Sequence, residues 1–129
     1  MYSKNLRIHF STLEAYQGFA AIEGVLRAEQ EEVVMDYQIK DSLVGIVKSD
    51  QKELLLPYEE IEDFEYKRNW FISRLKITVF NLQLLEKFPA SKNGQITLKI
   101  KRNQKEKMKD IVSYVRLRKS EINLDKMGE

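Results

Sequence analysis

The chain contains no cysteine. Disulfides and thiolate metal sites are therefore excluded, and the absence fits a reducing compartment. Histidine is almost as scarce, with His9 standing alone, so a zinc motif built on paired histidines cannot be assembled. Five glycines and two prolines leave no Gly-rich phosphate loop, and no serine nucleophile elbow is present. Long apolar runs are missing too. The longest, such as Leu54-Leu55-Leu56, fall far short of the roughly 20 residues that span a bilayer as a helix. No apolar stretch follows Met1 to Arg7, so a secretory signal peptide is not expected and the cytoplasm is the default location.

What the chain does have suits one globular domain: 129 residues, 43% hydrophobic and 33% charged. Its net charge of +2 conceals a division. Residues 31–66 hold three Lys/Arg against eleven Asp/Glu, a net of −8. Residues 67–119 hold fifteen against three, a net of +12. Such a split either marks an anionic partner or lets neighbouring strands pair their charges.

Alternation of apolar and polar residues predicts a run of strands. Leu6, Ile8 and Phe10 alternate with Arg7 and His9. Ser11-Thr12-Leu13-Glu14 has a capping-box pattern, which predicts a short helical turn over 12–16. Residues 20–29 and 33–39 form an expected hairpin, with Ile22, Leu26 and Ala28 on one face of the first arm. A second hairpin is expected between 44–47 and 53–56. Ile61, Phe64 and Tyr66 suggest a further strand, and Leu75, Ile77 and Val79 another. A helical turn is expected over 81–87 and a loop over 89–94, before a strand through Ile96, Leu98 and Ile100. From Asn103 the period changes. Met108, Ile111, Val112 and Val115 fall at i, i+3, i+4 and i+7, one face of a helix to about residue 120, with Asn103 as its N-cap. The polar tail after residue 120 is expected to fray. One helix cannot cover a wide sheet, so the expected fold is mainly β: a curled antiparallel sheet of about seven strands, plugged by the C-terminal helix.

Leu55-Leu56-Pro57-Tyr58-Glu59-Glu60-Ile61, the acidic strand through Arg68, and the strand Ser73 to Phe80 resemble the pleckstrin-homology-like superfamily in its bacterial and GRAM-like branch. Strand 95–101 followed by helix 103–120 resembles its closing strand and capping helix. The likeness covers roughly residues 20–120. It implies a bent barrel of seven strands, Ile61 in the core at a strand start, and a binding role without catalysis. Residues 1–19 read as an addition to that plan. Members that bind phosphoinositides carry Lys and Arg around the first hairpin loop, whereas here Ala28-Glu29-Gln30-Glu31-Glu32 is acidic.

No catalytic set, cofactor site or metal site emerges. His9 alternates with core residues and has no partner in sequence for acid–base work. The carboxylates Glu59, Glu60, Glu62, Asp63 and Glu65 lack the spacing and turning Gly of a calcium loop, and read more simply as a solvated face matched to Arg74 and Lys76. The densest basic patch is Lys99, Lys101, Arg102, Lys105, Lys107 and Lys109, and beside it stand Arg68, Arg74 and the pair Trp70-Phe71. These residues are the candidate binding surface. Their simpler readings are a solvated helix face and aromatic packing at the barrel rim. The expected role is a non-catalytic module for a protein or peptide, with self-association as one form. The alternative is an anionic surface, phospholipid or nucleic acid, gripped through 99–109 with Trp70 and Phe71.

Overall fold

In the computed structural model of the protein, residues 6–15, 20–41, 50–68 and 73–128 are described. Trp70, Phe71 and the expected strand 44–47 lie outside the described residues. Seven strands follow one another: β1 (Arg7–Ala15), β2 (Ala20–Ala28), β3 (Glu32–Asp41), β4 (Lys52–Pro57), β5 (Ile61–Arg68), β6 (Ser73–Val79) and β7 (Gln95–Ile100). A single long helix, α1 (Lys105–Met127), ends the chain. The strands make one antiparallel sheet in the order β4-β3-β2-β1-β7-β6-β5. β4 and β5 are its edges, so the sheet is not closed into the expected barrel.

The alternating residues face one core, and Ile8, Ile22, Leu26, Met35, Leu75, Ile77, Ile96 and Leu98 are all but sealed from solvent. β5 departs from strict alternation because its pairing with β6 bulges between Ile61 and Asp63. The extra residue turns both Ile61 and Phe64 inward although they stand three apart. Ile61 is thus a core residue at a strand start, as the resemblance implied. Pro57 closes β4, and a 3₁₀ turn over Tyr58–Glu60 carries the chain to β5.

Three expectations are corrected. Residues 12–15 continue β1 instead of forming a helical turn, because Ser11 and Thr12 pair with Glu23 and Ile22 of β2; Tyr16 lies outside the described residues. β1 is no addition to the plan either: it is the middle strand, joining β2 to β7. The helix begins at Lys105 and not Asn103, with no side-chain cap, and runs to Met127. Its last turns are anchored by an ion pair between Lys126 and Glu59 at 2.6 Å.

Two plugs fill the space the open sheet leaves. Met108, Ile111, Val112 and Val115 of α1 are buried, each contributing about 2 kcal/mol by leaving water. The 3₁₀ turn Leu82–Leu85 and the loop after it add Leu85 and Phe88, and Phe88 packs edge-on against Tyr37 with ring centroids 5.0 Å apart. Leu82, expected on the same apolar side, is 60% exposed. Asn93 and Gly94 both take positive φ in the turn into β7 (55° and 76°), the pairing that a tight two-residue hairpin requires. No helix among the described residues is long and apolar enough to cross a membrane.

Candidate binding surface

The fold redistributes the basic residues that stand together in sequence. β6 runs between β5 and β7, so Arg74 faces Lys67 on one side and Lys99 on the other. Like charges directly opposite one another destabilise a sheet. Only Lys76, in register with Glu65, meets the acidic strand as expected; Arg74 does not. Arg68 is exposed at the end of β5.

Lys101 and Arg102 are exposed just past β7, where a 3₁₀ turn (Arg102–Gln104) leads into α1. The helix then divides the rest of the run. Lys105 and Lys109 lie one turn apart, and each stands roughly 200° around the axis from Lys107. Lys109 pairs with Glu106 at 3.8 Å. Lys107 instead reaches the outer side of β1, beside Arg7, His9 and Gln104. The candidate patch 99–109 is therefore two surfaces.

The outer side of the sheet is hollow over β7, β1, β2 and β3. A cavity of about 550 Å³ has Lys99 and Lys101 on one wall and Glu23, Asp36 and Lys40 on the other. A smaller one of about 230 Å³ adjoins it, sharing His9 and Val25 and adding Arg7 and Lys107. Together they form a trough along β1. Its acids are already engaged: Glu23 pairs with Lys40 at 2.6 Å, and Asp36 pairs with Arg27. Arg7, Lys99, Lys101 and Lys107 have no ion-pair partner among the described residues. The trough thus carries positive charge that no described acid pairs with, in a concavity where low-dielectric walls strengthen its pull on an anion.

Two residues shape this trough. Gly24 of β2 stands opposite Tyr37 of β3, and a Cβ there would stand 2.1 Å from the carbonyl oxygen of Asp36. Gln104 holds the floor. β1 and β7 share only the register pair Ser11 and Lys99 among the described residues, and β7 stops at Ile100. Where the next ladder bonds would fall, the Gln104 amide takes the place of a strand: His9 N–H donates to Oε1 at 2.7 Å, and Nε2 donates to the His9 carbonyl at 2.8 Å. His9 is therefore a structural neighbour of the trough, with its backbone clasped and its ring exposed.

Of the sequence candidates, the trough gathers Lys99 and Lys101, with Arg74 next in register. It does not include Lys105 or Lys109, and Trp70 and Phe71 fall outside the described residues. Sequence reasoning missed Arg7 as a site residue and Gln104 altogether. The only signal for either was alternation, which put Arg7 on the outer face of its strand.

No protein-family model, curated protein or solved structure matches the chain. The seven-stranded antiparallel sheet with its C-terminal helix is compatible with a pleckstrin-homology-like fold.

Proposed function

We propose that the chain is a non-catalytic binding module of the pleckstrin-homology-like kind, and that it docks an acidic segment of a protein or peptide in the trough along β1. One observation carries this reading: four basic side chains from β1, β7, the residue after it and α1 line the trough without ion-pair partners among the described residues, while the acids beside them are spent on other cations. A carboxylate-rich segment supplies the missing charge. Lysines answer it as point charges and Arg7 can take a carboxylate by two N–H groups.

The same cations serve the second reading, phospholipid or nucleic acid. A recessed trough suits a narrow segment better than a flat bilayer, which would touch its rim. Fluorescence anisotropy with a labelled oligo-glutamate peptide at low salt tests the first reading. Replacing Lys99→Glu with Lys101→Glu should weaken binding about tenfold, equivalent to roughly 1.4 kcal/mol. Lys105→Glu with Lys109→Glu, on the other flank of the helix, should change it little. Equal losses in both variants would contradict the trough, and tighter binding to anionic vesicles or to duplex DNA than to the peptide would favour the second reading.

A further inference from the structure

β5 is an edge strand whose charges are arranged end to end. Its first five residues include Glu62, Asp63 and Glu65, and its last two are Lys67 and Arg68. On its outer side Lys119 of α1 occupies the carbonyls of Ile61 and Glu62. From Glu65 to Arg68, no described residue outside β6 makes a backbone hydrogen bond to the strand. An edge of this kind offers unpaired N–H and C=O groups to another strand.

Charged residues and a bulge usually protect such an edge. Here the bulge lies at the start, between Ile61 and Asp63, and leaves the rest of the strand regular. The charges deter a parallel neighbour, which would set like on like. An antiparallel copy meets the opposite sign instead. With a two-fold axis at Glu65, Glu62 and Asp63 of each copy face Arg68 and Lys67 of the other. With the axis at Tyr66, Glu65 faces Lys67 in both copies. The first register also sets Glu65 against Glu65 and reaches Glu62, whose carbonyl Lys119 holds, so the register centred on Tyr66 is the self-complementary one.

We infer that the β5 edge is a self-association surface, and that its occupant is β5 of a second copy of this chain, paired antiparallel to extend the sheet across a two-fold axis. Exposed ion pairs are individually weak, so the backbone ladder supplies the attraction and the charges select orientation and register. This surface is separate from the trough, which lies over β1.

Complementation tests it. Lys67→Glu with Arg68→Glu makes β5 wholly acidic. Glu62→Lys with Glu65→Lys makes it largely basic, while sparing Asp63, which accepts a hydrogen bond from the Phe64 N–H. Sedimentation velocity at low salt and high protein concentration should show dimers of the unaltered chain, monomers of each variant alone, and heterodimers when the two are mixed in equal amounts. Lys99→Glu with Lys101→Glu should stay dimeric, which separates failure here from failure of the trough. If a reversed strand lowers the melting temperature, Lys67→Gln with Arg68→Gln, which relieves the repulsion at Arg74, should weaken the dimer about fivefold. A monomeric unaltered chain, dimers of either reversed variant alone, or a mixture that stays monomeric would overturn the inference.

Discussion

Gln104 and Tyr58 show how single side chains hold the two halves of the sheet in place. Replacing Gln104 by Ala removes both bonds to the His9 backbone and should cost about 1–2 kcal/mol. Amide exchange at His9 should accelerate more than at its neighbours Ile8 and Phe10; uniform acceleration would mean that the clasp acts only through global stability. Tyr58 is fully buried and donates its hydroxyl proton to the Glu29 carbonyl. Burial drives its pKa well above the ordinary value of 10.0. The folded state therefore favours the protonated phenol. That contribution is complete below pH 10 and falls away as the pH rises above it, when the unfolded chain ionises first. Denaturation between pH 9 and 12 should show stability declining with pH, and Tyr58→Phe should be less stable at neutral pH yet flatter across that range. Neither role was legible in sequence. A glutamine after a strand and a tyrosine after a proline carry no sign of the distant carbonyl or amide they meet.

Among the elements, β2 and the loop after β6 are the most exacting. Gly24→Ala would drive a methyl group into the Asp36 carbonyl, and relief of that clash should cost about 2–3 kcal/mol and alter the trough. Phe88→Ala should cost about 3–5 kcal/mol, since the ring is buried and packs edge-on against Tyr37. Equilibrium urea unfolding checks both, and a loss below 1 kcal/mol at Phe88 would mean that the loop does not plug the core. Where one face of an element is buried and the other wet, its residues announced it: β2, β3, β6, β7 and the buried stripe of α1 were all legible. Elements failed where local and distant preferences compete. Ser11-Thr12-Leu13-Glu14 satisfies a helix start, but the ladder to β2 prevails. The polar residues after 120 look like a fraying end, yet Lys126 is held by Glu59, and just before them Arg118 is held by the Gln30 carbonyl. Both partners are remote in sequence.

For the whole molecule, the division of charge is the main result. It was plain in the sequence as −8 followed by +12, but its use was not. The fold sends part of the basic run to the trough, part to the far flank of α1, and part to the end of β5, and it brings in Arg7 from the other end of the chain. No linear pattern contains that gathering, because it depends on the strand order that sets β7 beside β1. Added salt should weaken acidic-peptide binding steeply, while Tyr58→Phe, distant from the trough, should leave the salt dependence unchanged.

The most direct measurement is an amide chemical-shift titration of the isotope-labelled protein with an oligo-glutamate peptide at low salt. Shifts concentrated at Arg7, His9, Val25, Lys99, Lys101 and Lys107 are expected. Shifts confined to Lys105 and Lys109, or spread evenly over every exposed lysine, would contradict the trough as the docking site.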